Sequence, residues 1–169
     1  MAITKAEAIA SAEANADGLR RHLLWQAALD GAVASGTALT VRLEANPPES
    51  PFYFIVTFAQ QSRVTARMAI HADTAAVREA QGIERAGTQL RTFVDPLSVV
   101  VPPPIGTSSG VLPVPTGPAP IVEPDLFWRP SRASTSMLQP FFVVHVGARK
   151  LFVRVDGTVF DGLDTGGHG

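Results

Sequence analysis

Two stretches of the chain carry nearly the same pattern of hydrophobic and polar positions. The first spans 51–70 and the second spans 140–155, and each contains two apolar runs separated by a short polar segment. An aspartate follows each stretch, Asp73 in the first case and Asp156 in the second. Two apolar runs joined by a short turn are typical of a β-hairpin. The pattern therefore predicts a duplicated, sheet-forming unit.

The first 33 residues have helical periodicity. Thr4 and Glu7 have the spacing of a capping box, in which each residue satisfies a backbone amide of the other. The apolar residues that follow recur at three- and four-residue steps, which places them on one helix face. These residues are Ile9, Ala12, Ala16, Leu19, Leu23 and Ala27. Gly18 is a weak point at which the helix can kink or break. Trp25 extends the apolar face and is interpreted as a core residue.

Five further segments have patterns that predict local structure. Residues 38–45 alternate between apolar and polar, which predicts a strand with one buried face. The run 52–58 is apolar on both faces, which predicts a central strand. Asp73 and Thr74 can cap a short helix over 75–80, and residues 89–94 resemble a strand. Residues 125–139 are interpreted as an irregular loop.

The segment 96–124 differs sharply from the rest of the chain. It holds nine of the fourteen prolines and no lysine or arginine. Branched aliphatic side chains punctuate it at Val99, Val100, Val101, Ile105, Val111, Leu112, Val114, Ile121 and Val122. One interpretation is a proline-rich spacer. The other is an extended arm that lies along its own domain or on a neighbouring subunit.

These patterns together predict an α+β protein. An N-terminal helix packs on an antiparallel sheet, and two hairpin-containing halves are joined by the extended proline-rich arm. The predicted organisation is a helix and sheet over 1–95, the arm over 96–124, and a loop with the second hairpin over 125–169.

The amino-acid composition excludes several classes of function. Hydrophobic residues make up 46% of the 169 and charged residues only 17%, and the low charge suggests a surface buried against a protein partner. The net charge of −1 provides no positive field for nucleic acid. The absence of cysteine excludes disulfides and thiolate sites. Without a signal peptide or a run of about 20 apolar residues, we expect no membrane span and a soluble protein in the cytoplasm or in an assembled particle.

No catalytic motif stands out. The four histidines, His22, His71, His145 and His168, lack the paired spacing of a metal site. A hydrolase triad could combine His145 and Asp156 with a serine from the loop, namely Ser131, Ser134 or Ser136, but no nucleophile-elbow motif supports it. The sequence therefore predicts neither an enzyme nor a cofactor. A small enzyme that uses His145 is the weakest hypothesis.

The best candidate for protein recognition is the stretch around Trp128. Tryptophan and arginine dominate binding hot spots because they combine contact area with directional hydrogen bonds. The alternative is that Trp128 anchors the loop to the core while the arginines lie in solvent. The predicted protein-binding residues are Phe127, Trp128, Arg129, Arg132, Val100, Val101, Ile105, Leu112 and Val114.

Residues 3–10 and 70–74 resemble the helix start and the strand end of PepSY-like and cystatin-like units, and 153–159 is similar to the latter. In those families an N-terminal helix packs across an antiparallel sheet. The resemblance implies a peptidase-binding inhibitor or chaperone, with the hairpin turns or the Trp128 loop entering a protease cleft.

The leading hypothesis is a non-catalytic interaction protein, a structural subunit of a phage-like particle or another multi-subunit complex. Its partner is another protein or a second copy of this chain. The alternative is the inhibitor or chaperone of PepSY or cystatin type.

Overall fold

The computed structural model describes residues 2–44, 52–100 and 118–164. Within these residues the chain is an α+β protein, as the sequence predicts, with helices packed on a mostly antiparallel sheet. The helices are α1 (Lys5–Leu19), α2 (Leu23–Leu29) and α3 (Pro96–Val100). The strands are β1 (Val33–Ala34), β2 (Leu39–Leu43), β3 (Phe52–Gln60), β4 (Arg63–His71), β5 (Val77–Gly82), β6 (Ile121–Val122), β7 (Leu126–Trp128), β8 (Phe141–Val146), β9 (Arg149–Arg154) and β10 (Val159–Phe160).

Both predicted hairpins belong to one ten-stranded sheet. Its order is β10-β9-β8-β7-β2-β3-β4-β5, with β1 beside β2 along β3, and β6 beside β7 along β8. The parallel pair β2 and β7 joins two parts of the sheet that are otherwise antiparallel. Each part has the same plan: two short strands on one edge of a hairpin and a third strand on the other. We call α1 to β5 the N-terminal half and α3 to β10 the C-terminal half.

Tight turns close both hairpins. Gln61 and Ser62 join β3 to β4, and both have positive φ angles, 47° and 69°, as in a type I′ turn. Gly147 opens the turn between β8 and β9 with a φ of 59°, as in a type II′ turn. These turn types match the twist of the strands, so each hairpin is specified locally.

Helix α1 packs on the N-terminal half through three fully buried alanines, Ala8, Ala12 and Ala16. They contact a cluster of larger residues on β3 and β4, which includes Phe54, Val56, Phe58, Met68 and Ile70. A methyl side chain lets the helix lie close to the sheet, so the bulk of this core comes from the strands.

The predicted capping box is confirmed at the start of α1. Thr4 Oγ1 accepts a hydrogen bond from the Glu7 amide at 3.2 Å, and Glu7 Oε2 accepts from the Thr4 amide at 2.7 Å. Hydrogen bonds from the backbone and side chain of Thr4 lower the pKa of Glu7.

A second apolar cluster covers the opposite face of the sheet and joins the two halves. It contains Val41, Tyr53, Ile55 and Ala69 from the N-terminal half and Leu126, Leu138 and Val155 from the C-terminal half. The Tyr53 hydroxyl donates to the Met137 carbonyl at 2.5 Å. Burial, and secondarily the charge of Glu79, raise the pKa of Tyr53. Tyr53 therefore stays a neutral donor that ties the 129–139 loop to β3.

Two local predictions are wrong. The helix expected over 75–80 is instead β5, which pairs with β4 after a turn in which Ala75 has a φ of 57°. The strand expected over 89–94 is irregular, although Leu90 and Val94 donate backbone hydrogen bonds to Val64 and Val155. In the first segment, pairing with the neighbouring strand β4 overrides local helical propensity.

The predicted arm begins and ends with regular structure. Its first five residues form α3, and β6 pairs with β8 near its end. The 129–139 part of the predicted loop is irregular, but residues before it form β7. None of the helices in the described ranges is long and apolar enough to cross a membrane.

Candidate protein-binding surface

The largest exposed apolar side chains of the N-terminal half lie at the start of α2. Leu23 is 82% exposed and Leu24 is 88% exposed. Beside them is a groove of about 480 Å³, which we call the α2 groove. It is lined by Leu23, Leu24, Trp25, Gly82, Ile83 and Glu84. Leucines exposed to this extent, next to an apolar depression, are typical of a surface that another molecule covers.

The break after α1 creates this surface. Helix α1 ends at Leu19, one residue after Gly18, and the amides of Arg21 and His22 donate to the Gly18 and Leu19 carbonyls in a tight turn. The prediction of a break near Gly18 is confirmed. The prediction that Leu23 lies on the buried face is wrong, because α2 begins in a new direction that turns this side chain to solvent.

Arg20 fixes the direction of α2. Its Nε donates to the Leu29 carbonyl at 3.0 Å, and its Nη2 donates to the Ala32 carbonyl at 2.8 Å. A cation at the C-terminus of a helix satisfies free carbonyls and complements the helix dipole. The short helix is therefore held at its far end, and the two leucines stay exposed on a supported element.

Close contact with β5 forms the floor of the groove. A β-carbon at Gly82 would lie 2.7 Å from the Ala28 Cβ and 2.9 Å from the Trp25 Cζ3, so only glycine fits under α2 here. Trp25 is half-buried and packs against the core cluster, which agrees with its predicted core role. Its ring also forms one wall of the α2 groove.

The Trp128 loop is attached to the core. The Trp128 indole donates to Ser134 Oγ at 3.2 Å, and its ring stacks edge-to-face on Tyr53 with 6.3 Å between ring centroids. Arg129 pairs with Glu44 at 3.2 Å, while Arg132 is exposed. This geometry favours the interpretation of Trp128 as an anchor.

Phe127 belongs to an aromatic cluster of the C-terminal half. Its ring lies 5.9 Å from that of Phe152, and Phe141 contacts both Phe152 and Phe160. Val100 is half-buried at the end of α3. The other predicted binding residues, Val101, Ile105, Leu112 and Val114, lie outside the described residues.

A second, deeper cavity lies where the halves join. It has a volume of about 550 Å³ and lies between the start of α3 and strands β2 and β7. Leu39, Leu126 and Phe142 form its apolar floor, and Asp95, Glu123 and Asp125 stand among its lining residues. Its volume is in the range of small-molecule sites.

The residues considered for catalysis have separate structural partners. Ser134 Oγ donates to the Ser136 and Gln139 carbonyls. His145 Nε2 lies 2.9 Å from Glu123 Oε1. The Asp156 carboxylate accepts hydrogen bonds from Arg154 and Thr158. No hydrogen bond in the described part of the chain links a loop serine to His145, or His145 to Asp156. No group of three potential metal ligands occurs within it either.

Glu123 is the centre of a small ionic cluster. It accepts a hydrogen bond from Arg42 as well as contacting His145. Burial acts to raise the pKa of Glu123, but the hydrogen bond to His145 and the charges of Arg42 and Lys150 outweigh it and lower the pKa. The cluster ties β6 to β2 and β8, so a structural role accounts for it.

The α2 groove was missed at the sequence level, although the chain contains a signal for it. Leu23 and Leu24 are adjacent, and adjacent helical residues do not share a face. One of the two leucines must therefore lie outside a narrow apolar stripe.

No protein-family model matches this chain, and no curated protein or solved structure does either. The inference of its function therefore rests on its own residues.

Proposed function

We propose that this protein is a non-catalytic interaction protein, a subunit of a larger assembly in which copies of the chain contact each other through the α2 groove. The observation that carries the proposal is the exposure of Leu23 and Leu24 beside an apolar depression. Isolated exposed aliphatics are ordinary on protein surfaces, but two adjacent leucines beside a groove form a contiguous patch.

A second copy of the chain fits this surface chemically. Projecting leucines and a receiving groove lie on the same patch, so a twofold axis would place the leucines of each copy in the groove of the other. Of the described residues that line the groove, only Glu84 is charged. The net charge of −1 produces little repulsion between copies.

The expected strength of this contact follows from its area. Burying a leucine contributes about 1.5–3 kcal/mol, so four leucines contribute roughly 6–12 kcal/mol before the cost of association. That cost is of the order of 4–15 kcal/mol. We therefore expect a reversible contact in the micromolar range or weaker, which becomes strong only when many copies assemble.

Sedimentation velocity over a concentration series tests this proposal. We expect the wild type to associate as its concentration rises, and Leu24→Gln to raise the dissociation constant at least tenfold. Val33→Thr is the matched control, because Val33 is a 69% exposed aliphatic on β1 outside the groove and its loss should leave association unchanged. A wild type that stays monomeric at all concentrations, or a Leu24→Gln variant that associates equally well, would contradict the proposal.

A second candidate function, peptidase inhibition of the PepSY or cystatin type, is favoured by one observation. Helix α1 lies across β3 and β4, which is the arrangement that the resemblance implies. Since Trp128 is held against Tyr53, the exposed turn at Ala148 is the better probe of a protease cleft. If the chain is such an inhibitor, Ala148→Asp should weaken inhibition of a papain-type peptidase at least tenfold, and no inhibition by the wild type would remove this candidate.

A further inference from the structure

Arg67 is a buried cation that forms no ion pair with the residues that the structure describes. It lies in the middle of β4, only 6% exposed, on the face opposite α1. Its guanidinium donates through Nη2 to the Arg91 carbonyl and stacks 4.3 Å from the centroid of the Phe93 ring. No carboxylate of the described residues lies within ion-pair distance of it, and its Nε is buried without a hydrogen-bond partner there.

This arrangement is energetically unfavourable unless something else contacts the guanidinium. Buried charges in proteins are nearly always paired, because an unpaired one loses its hydration without compensation. Burial lowers the pKa of Arg67 to about 10, so the group is still protonated near neutral pH. Loss of the proton therefore does not remove the desolvation cost of the buried charge.

A polar cavity adjoins Arg67. It has a volume of about 190 Å³ and is bounded by the 90–93 segment, the 138–139 segment and the end of β9. Gln81, Thr92 and Gln139, which line it together with Arg67, have side chains that can hydrogen-bond to a ligand. The cavity lies between the two halves, where three separate parts of the chain meet.

Among the described residues that line this cavity, Asp156 is the one with a carboxylate, and it is already paired. Its Oδ2 accepts from Arg154 Nε and Nη2 at 3.0 Å and 2.7 Å, and its Oδ1 accepts from the amide and the hydroxyl of Thr158. These four hydrogen bonds occupy both oxygens of the Asp156 carboxylate. It therefore leaves the charge of Arg67 uncompensated.

We propose that the cavity beside Arg67 is a binding site for a carboxylate group. The guanidinium provides a planar fork of donors, which matches the two oxygens of a carboxylate, and its Nε–H has no hydrogen-bond partner among the described residues. Phe93 holds the guanidinium plane in place. The volume is below that of typical drug-sized pockets, so the ligand is a small acid or the single carboxylate of a longer chain.

Two sources of this carboxylate share the same chemistry: a free short-chain acid and the C-terminus or acidic side chain of a polypeptide. Acetate is the probe for the first source. A tetrapeptide that ends in a free carboxylate, compared with its amidated form, is the probe for the second.

Thermal unfolding in sodium acetate against sodium chloride at equal ionic strength is the first measurement. We expect acetate to raise the Tm of the wild type above its value in chloride, and Arg67→Met to lose this difference. Arg63→Met is the matched control, because Arg63 is an exposed arginine on the same strand, four residues away, and its variant should keep the difference.

A second measurement needs no variant at Arg67. In ¹⁵N-labelled wild type, the Arg67 Nε–H signal should shift progressively with acetate and stay constant with chloride. A tighter response to the free tetrapeptide than to acetate would assign the site to polypeptide carboxylates, and a response to acetate without one to either peptide would restrict it to small acids. Equal shifts with the free and the amidated peptide would show that the carboxylate is not recognised and would overturn the proposal. An unchanged Arg67 signal in both acetate and peptide titrations would overturn the proposal, as would an acetate effect on Tm that persists in Arg67→Met.

Discussion

The two halves of this protein share a strand plan but stabilise it with different side chains. In the N-terminal half, a fifteen-residue helix with a row of alanines packs on the β3–β4 hairpin. In the C-terminal half, the face that continues this surface carries the rings of Phe127, Phe141, Phe152 and Phe160. The same hairpin topology can thus be supported either by a covering helix or by a sheet-borne aromatic cluster.

The difference has consequences for exposure. Phe58 is fully buried under the helical layer, whereas Phe152 and Phe160 are only half-buried, with Lys150 and Arg154 lying over their rings. Edge-to-face ring pairs add about 0.5–1.5 kcal/mol each beyond area burial, and cations over rings add about 0.5–1 kcal/mol at exposed sites. Phe152 and Phe160, at the half-exposed margin of the C-terminal aromatic cluster, therefore depend on specific contacts, whereas Phe58 depends on depth of burial.

The largest expected effect compares one phenylalanine from each half. Phe58→Ala should lower the free energy of unfolding by about 3–5 kcal/mol, because it removes a fully buried ring and leaves a cavity under α1. Phe160→Ala should cost about 1–2 kcal/mol, since that ring is half-exposed and its loss leaves less of a void. Urea unfolding of the three proteins measures both values. Equal losses would mean that the two halves do not differ in depth of burial.

A smaller effect concerns pH and the turn that ends the C-terminal hairpin. The hydrogen bond from Arg154, assisted by those from Thr158, holds the pKa of Asp156 below its usual range despite partial burial. A carboxyl group whose pKa is lower in the folded state stabilises the fold above its unfolded pKa of about 3.9, and this contribution is lost as the pH falls below that value.

Asp156→Asn should therefore lower stability by about 1–2 kcal/mol at neutral pH and flatten the loss of stability in acid. Urea unfolding from about pH 3 to about pH 7 measures this. Asp161→Asn is the control, because Asp161 makes only an exposed ion pair with Arg149. Parallel acid limbs for wild type and Asp156→Asn would contradict the assignment.

The smallest expected effect is at the helix break of the N-terminal half. A β-carbon at Gly18 would meet no described atom within 4 Å apart from its chain neighbours and the backbone of its own helix, and this residue is in the last turn of α1. Gly18→Ala should raise stability by about 0.5–1 kcal/mol, since alanine restricts the unfolded chain and fits the helix. Thermal unfolding measures the gain, and a loss of stability would indicate that the break requires glycine itself.

Local patterns predicted much of the sheet. The periodicity of β2, the fully apolar run of β3 and the two hairpins were all readable, because turn chemistry and alternation act over a few residues. The capping box of Thr4 and Glu7 was readable for the same reason. Segment 75–80 was misread, because an alanine-rich edge strand takes its conformation from the strand beside it.

The candidate surfaces were less accessible to sequence analysis. Leu23 follows the helical spacing of the residues before it, and only the turn after Leu19 and the Arg20 contacts direct it to solvent. Arg67 resembles an ordinary polar residue in a strand. The burial of its guanidinium depends on Phe93 and the 138–139 segment, which are distant from Arg67 in the sequence.

The sequence by itself determined the local elements of this protein: a capped N-terminal helix and two hairpins. These follow from interactions between residues a few positions apart. Only the tertiary structure decided that β2 and β7 pair in parallel and make one sheet, that α2 exposes its leucines, and that Arg67 is buried with no ion-pair partner in the described part of the chain. Such features depend on contacts between residues far apart in the chain. The packing of the whole molecule brings these residues together.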